Sequence, residues 1–168
     1  MIQVESLKDY LYKEEFLYLT YKIYKLTSSI SEYYQDYENW YWTKQITRIN
    51  SEERNILFIR NPDNKKEIIA ITCLKKDESE RKICTLYVKD EYRNKGLGSL
   101  IIEESFKWLE TNKPLITIPE YKLNEFIPII EKYHWNLTEI INGLYHPNYK
   151  ELFFNKQNQN IKTLKKQK

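Results

Sequence analysis

Cysteine is nearly absent from this 168-residue chain, which contains only Cys73 and Cys84. Each lies in a predicted strand without a neighbouring metal ligand, so the sequence predicts neither a metal site nor a disulfide framework. Unpaired thiols are typical of a reducing compartment, and we therefore expect a cytoplasmic protein. Because no histidine is nearby in the sequence, Cys84 is expected to be a small core residue rather than a nucleophile.

Long hydrophobic runs and a strong net charge are missing as well. No segment is apolar for long enough to span a membrane, and no secretory signal is expected. The net charge is only +3, and residues 156–168 alone carry five lysines and no acid. Because the rest of the chain is then slightly acidic, neither a nucleic-acid partner nor a membrane partner is expected.

Length and composition favour one folded unit. Hydrophobic residues make up 41% of the chain and aromatic residues 15%, including fifteen tyrosines, which excludes a disordered protein. A chain of this length forms a single domain with its own core. We therefore predict one domain over residues 1–155 and a lysine-rich, disordered tail over residues 156–168.

Glycine is scarce too, yet two of the three glycines fall in one turn. Residues 83–88 alternate as a buried strand, and apolar residues over 97–109 repeat at helical spacing. The pattern Arg93-x-x-Gly96-x-Gly98 thus lies between a strand and the start of a helix, where free N–H groups favour an anion. This arrangement predicts a phosphate cradle. The alternative is a plain helix entry, in which the glycines only permit tight packing.

The segment from Leu86 to Gly98 resembles the acetyl-CoA motif of the GNAT superfamily of N-acetyltransferases, Arg/Gln-x-x-Gly-x-Gly/Ala after the fourth strand. In that family the motif binds the pyrophosphate of coenzyme A, and the end of the preceding strand pairs with the pantetheine arm. The resemblance implies acetyl-CoA as co-substrate and no metal. Asn124 is a further candidate contact, although the family's asparagine aligns one residue earlier. The implied cofactor-binding residues are Leu86, Tyr87, Val88, Arg93, Asn94, Lys95, Gly96, Leu97, Gly98, Ser99 and Asn124.

The remaining patterns predict the element order β-α-α-β-β-β-α-β-α-β-β. This order matches the family's fold: an α/β (α+β) single domain whose mixed, mostly antiparallel sheet of about seven strands has helices on both faces. The first helix is predicted to begin after Ser6 and to bury one face that includes Tyr12. The strand over 114–119 is expected to be buried on both faces. Pro128 must sit in the first turn of the helix over 122–133 or kink it.

The resemblance also implies the chemistry. It places an oxyanion contact at the backbone N–H of Val88 and requires an acid for the departing thiolate. The family's Tyr-x-x-x-Gly-Phe pattern would put its tyrosine at Ile130, which cannot donate a proton. We therefore predict Tyr145, in a polar loop, as the candidate acid, with Tyr133 or water as alternatives. The carboxylates considered for the base, which the sequence does not rank, are Glu67, Asp77, Glu78, Glu80, Asp90, Glu91 and Glu139.

The predicted function is transfer of an acetyl group from acetyl-CoA to a primary amine of a small molecule, peptide or protein by direct attack. The alternative is an acyl-CoA-binding regulatory or partner protein without turnover, and a homodimer is left open. Residues 32–42 are dense in aromatic side chains. They are interpreted either as a helix packing its rings on a sheet edge or as the wall of an acceptor pocket. The lone His134 and His146 are expected to be surface or packing residues.

Overall fold

A seven-stranded sheet organises the protein, and the computed structural model describes residues 2–157 of it. The strands lie in the spatial order β1-β2-β3-β4-β5-β7-β6. Only the β4–β5 pair is parallel, so the mixed, mostly antiparallel sheet that we predicted is confirmed. The strands are β1 Val4–Ser6, β2 Arg54–Arg60, β3 Ile68–Lys76, β4 Arg81–Val88, β5 Leu115–Pro119, β6 Leu137–Asn142 and β7 Lys150–Phe154.

Helices cover both faces of this sheet, as predicted. The α-helices are α1 Glu15–Thr27, α2 Tyr37–Trp40, α3 Leu97–Leu109 and α4 Leu123–Lys132. A π-helical segment, Tyr41–Ile46, continues α2, and shorter 3₁₀ segments include Leu7–Tyr10, Ser28–Glu32 and Glu120–Lys122. The element order of the sequence prediction is therefore observed, with 3₁₀ segments added.

Alternation along β2 explains why there are two cores. Leu57 and Ile59 face α3, whereas Ile56 and Phe58 face α1 and α2. Successive strand residues point to opposite faces, so an apolar residue at every position buries both sides of the sheet. All four side chains are at most 6% exposed.

The first helix does not begin where we predicted. The Ser6 hydroxyl accepts a hydrogen bond from the Lys8 N–H at 3.3 Å and caps only the 3₁₀ segment Leu7–Tyr10. The α-helix starts nine residues later, at Glu15, and Tyr12 lies before it and is 97% exposed. The placement of Tyr12 on a buried helical face was therefore wrong. The apolar spacing at Leu19 and Ile23 was read correctly, since both are buried.

One further local expectation, on β5, is corrected, and the two alternatives given for Pro128 are reduced to one. Strand β5 buries only one face: Ile116 and Ile118 are buried, while the residues between them are partly exposed. Pro128 lies in the middle of α4, beyond its first turn, so no N–H is available there for the carbonyl of Asn124.

The predicted tail lies outside the described residues except for its first two, of which Lys156 forms a salt bridge with Glu139. None of the helices within residues 2–157 combines the length and apolar character needed to cross a bilayer.

The parallel strands β4 and β5 separate soon after they meet. Their register pairs are Lys82 with Leu115 and Ile83 with Ile116. On the other edge of β4, Thr85 pairs with Cys73 and Ile83 with Leu74, so Cys84 is an extra, bulged residue. A bulge bends and twists the strand that carries it, and here it coincides with the point of separation. The gap beyond it leads into the cavity described next.

Candidate active site

A cavity of about 750 Å³ opens between the separated ends of β4 and β5. Nine of the predicted site residues line it: Leu86, Tyr87, Val88, Arg93, Asn94, Gly96, Gly98, Ser99 and Tyr145. Three do not. Leu97 points into the core, Lys95 lies over the Tyr92 ring, and Asn124 is exposed on α4. The turn and the loop that we singled out in the sequence therefore meet at one cavity.

The turn before α3 provides the anion-binding geometry. Gly96 is the N-cap of α3 and has a φ of 81°, a left-handed conformation that glycine adopts without strain. A Cβ built on Gly98 would meet no heavy atom within 4 Å. The protein's own packing therefore does not require glycine at position 98, and the open space lies at a helix N-terminus with free N–H groups. Open space beside free N–H groups is what an anion needs for close approach to backbone donors.

The edge of β4 that faces the gap carries main-chain groups that do not pair with β3. The Lys89 N–H donates to the Ile69 carbonyl at 2.9 Å, so the neighbouring Ala70–Val88 pair is a non-hydrogen-bonded pair of the ladder. The N–H of Val88 therefore points away from β3 and toward the gap. The same alternation turns the main-chain groups of Leu86 toward the gap. An extended ligand arm laid there could pair with β4 as a strand would.

Arg93 connects the two sides of the cavity mouth. Its Nε donates to the Val88 carbonyl at 3.1 Å, and its guanidinium forms salt bridges with Asp90 at 2.9 Å and with Glu125 of α4 at 3.2 Å. These contacts fix the side chain between β4 and α4. Arg93 thus holds the cavity mouth in shape and places a positive charge beside the turn before α3.

None of the seven carboxylates considered for the base lines the cavity. Hydrogen bonds from Asn61 and Lys89 lower the pKa of Glu67 to about 2, which makes it a poor proton acceptor. Partial burial of Asp77 is outweighed by hydrogen bonds from Lys75 and Ser79, so its pKa is also lowered. The acidic residues that line the cavity are Asp36 and Glu125, neither of which was on our list.

The low pKa of Glu67 predicts a specific dependence of stability on pH. The folded protein holds this pKa near 2, below the ordinary value of 4.5. The ionised Glu67 carboxylate therefore stabilises the folded protein above pH 4.5, and this stabilisation is lost as the pH falls toward 2. Glu67→Gln should lower the thermal midpoint at about pH 7. Between pH 4.5 and 2, the midpoint of this variant should fall less than that of the wild type. Glu15→Gln, at an exposed position, is the matched control. Equal pH profiles for the wild type and Glu67→Gln would contradict the assignment.

The two candidate acids lie in different places. Tyr145 lines the cavity, and its ring packs edge-on against Tyr34 with centroids 5.0 Å apart. Tyr133 lies on the other side of the sheet, where its hydroxyl donates to Glu103 at 2.9 Å and its ring contacts Phe106. Ile130, at the position of the family's tyrosine, packs against the core. The geometry therefore favours Tyr145 over Tyr133.

The thiol of Cys84 and the imidazoles of His134 and His146 are not placed for catalysis, and His134 is exposed. Cys84 lines the cavity at the bulge, but burial raises the pKa of its thiol and keeps it protonated. His134 follows α4 with a φ of 52°, and His146 stacks on Tyr149 with centroids 4.7 Å apart. Within residues 2–157 no cluster of three or more His, Cys, Asp or Glu side chains is arranged to hold a metal ion.

Sequence reasoning missed a buried acid behind the cavity wall. Glu151 of β7 is only 4% exposed and accepts a hydrogen bond from the hydroxyl of Tyr34 at 2.8 Å. The two residues are 117 positions apart in the sequence. The one available signal was an acid next to the apolar run Leu152–Phe154. Tyr34 and its neighbours Tyr33, Tyr37 and Trp40 line the cavity, so the aromatic segment forms a pocket wall.

Comparisons with known proteins agree with this geometry. A family model described as Acetyltransferase (GNAT) family matches residues 15–118. No curated protein matches the sequence. Among solved structures, the ribosomal-protein-S18-alanine N-acetyltransferase of Escherichia coli is 13% identical, with a TM-score of 0.64 and 92% of each chain covered.

Two further solved structures share the fold. The PaiA N-acetyltransferase of Thermoplasma acidophilum, in complex with coenzyme A, is 16% identical, with a TM-score of 0.60 and coverage of 94% of this chain and 99% of that one. A chimera built on the spermidine N-acetyltransferase of Vibrio cholerae is 9% identical, with a TM-score of 0.57 and coverage of 91% and 93%. At these identities the likeness establishes a common architecture, and the chemistry has to be argued from the residues.

Proposed function

This chain belongs to the acetyltransferase (GNAT) family, whose model matches more than half of it, and we propose that it transfers an acetyl group from acetyl-CoA to a primary amine. The observation that carries the proposal is the cradle at the start of α3 beside the gap between β4 and β5. It combines free helix N–H groups, open space at Gly98 and an unpaired strand edge. These are the features that a pyrophosphate joined to an extended amide arm requires.

The residues of the turn would hold the co-substrate through backbone groups. The pyrophosphate would accept hydrogen bonds from N–H groups of the turn over Arg93 to Ser99. The pantetheine amides would pair with the free edge of β4 at Leu86 and Val88. With the arm so placed, the N–H of Val88 is available to the thioester carbonyl, where negative charge develops during attack. Two free thiols and no disulfide among the described residues fit the cytoplasmic location that we propose.

The transfer itself needs only three events. The amine nitrogen gives up a proton as it attacks the acetyl carbon, the carbon–sulfur bond breaks, and the thiolate takes a proton. We assign that proton to Tyr145, which lines the cavity and is 41% exposed. Direct attack by the amine is favoured over an acetyl-cysteine intermediate, because burial keeps Cys84 protonated.

A second candidate function is acyl-CoA binding without turnover. It is favoured by the residue at position 130, where an isoleucine stands in place of the family's tyrosine and packs into the core. In that case acyl-CoA would bind in the cradle as a regulatory ligand. The aromatic wall would then contact a partner protein rather than an acceptor amine. The two proposals share the binding step and differ in catalysis.

Calorimetry and a transfer screen separate the two functions. We expect acetyl-CoA to bind and at least one acceptor in a panel of polyamines, aminoglycosides, amino acids and peptides to release free coenzyme A. A thiol-reactive dye measures that release, and mass spectrometry identifies the acetylated amine. Binding with no turnover of any acceptor would support the second candidate function. Absence of acetyl-CoA binding would overturn both proposals.

A further inference from the structure

Glu151 is a buried carboxylate without an ion pair. It pairs with Pro119 and Ile141 on the neighbouring strands and is 4% exposed. Within the part of the chain described, no salt bridge reaches it, and the neutral hydroxyl of Tyr34 donates a hydrogen bond to it at 2.8 Å. A buried carboxylate with only neutral partners is costly to a fold, because its desolvation is not repaid by an opposite charge. Such a group calls for a role that offsets this cost.

This carboxylate lies directly behind the aromatic wall. Tyr34 lines the cavity and donates to Glu151, while Glu151 itself does not contribute to the lining. The ring of Tyr34 contacts Tyr145, the candidate acid. Tyr121, from the segment before α4, stacks on Tyr33 with centroids 4.8 Å apart. Any proton that passes between the cavity and Glu151 along this contact must therefore go through the hydroxyl of Tyr34.

The surroundings of Glu151 make it a stronger base than an exposed carboxylate. Burial raises its pKa, and the hydrogen bonds from Tyr34 and Thr117 and the distant charge of Lys82 on β4 oppose this only in part. The other titratable groups around the pair are Tyr121 and Tyr145, while Glu120 and Lys150 interact with each other beside it. Burial and the neighbouring Glu151 carboxylate raise the pKa of Tyr34 as well. Tyr34 therefore stays neutral, and it can give its proton to Glu151 only while its oxygen takes another.

We propose that Tyr34 and Glu151 together remove the proton of the acceptor amine, and that the acceptor is an aliphatic primary amine bound as its ammonium ion. The ammonium gives a proton to the Tyr34 oxygen while Tyr34 passes its own proton to Glu151. The amine becomes neutral and nucleophilic, Tyr34 is unchanged, and the carboxylate becomes a neutral acid. This inference rests on the acetyl transfer proposed above.

The same wall selects the charge of the acceptor. The rings of Tyr33, Tyr34, Tyr121 and Tyr145 line the cavity, and two ring contacts, Tyr33 with Tyr121 and Tyr34 with Tyr145, join them into one wall segment. Aromatic rings attract an organic ammonium ion, and the buried negative charge of Glu151 adds to that attraction. An arylamine is uncharged at neutral pH and needs no such base before attack. The pair is therefore expected to matter for alkylamines and to matter little for arylamines.

The test compares Glu151→Gln and Tyr34→Phe with Glu103→Gln and Tyr133→Phe, which change a similar pair on α3 and α4 outside the cavity. The probes are n-butylamine, 1,4-diaminobutane, an alanyl peptide and aniline, and the readouts are kcat/KM against pH, acetyl-CoA affinity and thermal midpoint. We expect both site variants to lose at least about tenfold in kcat/KM with alkylamines, and the double variant to lose no more than the worse single one.

The pH profile and the stability separate a proton-accepting role from a structural one. In the wild type, kcat/KM should fall as the pH drops through the raised pKa of Glu151, and this limb should disappear in Glu151→Gln. Because glutamine can still accept the hydrogen bond from Tyr34 but carries no charge, the thermal midpoint of Glu151→Gln near pH 7 should equal or exceed that of the wild type.

Several results would overturn the inference. Full alkylamine activity with an unchanged pH profile in Glu151→Gln would do so while leaving the proposed acetyl transfer standing. A loss of activity that parallels a fall in thermal midpoint, or that is equal for aniline and n-butylamine, would assign the pair a structural role. A wild type that binds acetyl-CoA but acetylates no amine would overturn the proposed function and the inference with it.

Discussion

Replacing Gly98 with aspartate is expected to weaken acetyl-CoA binding by about a thousandfold or more while the protein stays folded. The new carboxylate would occupy the open space at the start of α3, where the pyrophosphate is proposed to bind. Like charges at such close range cost several kcal/mol, which corresponds to this loss of affinity. The fold should tolerate the change, because the Cβ meets no atom within 4 Å and an acid in the first turn suits the helix dipole.

Two milder variants calibrate this result. Gly98→Ala adds a Cβ without charge and should weaken binding only partly. Arg93→Ala removes one positive charge, the hydrogen bond to Val88 and the salt bridge with Glu125. It leaves the backbone donors in place, so it should lose less acetyl-CoA affinity than Gly98→Asp. Calorimetry gives the affinities, and circular dichroism with a thermal scan checks the fold. A folded Gly98→Asp protein with unchanged affinity would show that the cradle does not bind acetyl-CoA.

Tyr145→Phe is expected to lower kcat by on the order of a hundredfold with acetyl-CoA affinity preserved. The substitution removes one hydroxyl and little volume, and the ring can keep its edge-on contact with Tyr34. If this hydroxyl protonates the departing thiolate, its loss slows the chemical step and leaves the binding of the nucleotide end intact. Pre-steady-state release of coenzyme A separates the chemical step from product release.

Tyr133→Phe is the matched control for this variant. Its hydroxyl binds Glu103 on the far side of the sheet, so its loss should leave kcat unchanged. A Tyr145→Phe enzyme with full kcat would remove Tyr145 from the mechanism and would assign the proton to water. Equal losses in the two variants would point to a general effect on stability.

The half of the site that could bind the cofactor was predictable because its determinants are contiguous. Strand β4, the glycine turn and the start of α3 follow one another within residues 81–109. Local spacing fixes such a unit: the alternation defines the strand, and the glycines mark where backbone must approach a ligand. Residues Lys95 and Leu97, which share the motif but not the cavity, show the limit of that reasoning. A motif gives the segment, and backbone geometry decides which side chains face the ligand.

The acceptor half could not be predicted in the same way. Tyr34, Tyr121, Tyr145 and Glu151 come from four separate segments, and their meeting depends on β7 lying between β5 and β6. No local pattern encodes that order, so our candidate bases were polar residues near turns. The late start of α1 has a similar cause. Ser6 gives a cap signal, but the chain after it forms a 3₁₀ segment whose Leu7 is fully buried against the sheet.

The short contact between β4 and β5 has a thermodynamic consequence. Two register pairs join the four-stranded half of the sheet, β1 to β4, to the half formed by β5, β7 and β6. Beyond these two pairs, the main-chain groups of β4 that face β5 do not pair with it, and a ligand can bind them. A co-substrate bound there would act as a bridge between two halves, so its binding energy would also be folding energy. The enzyme would then be stiffest when loaded, and amide exchange in β5 and β7 would slow as the site fills.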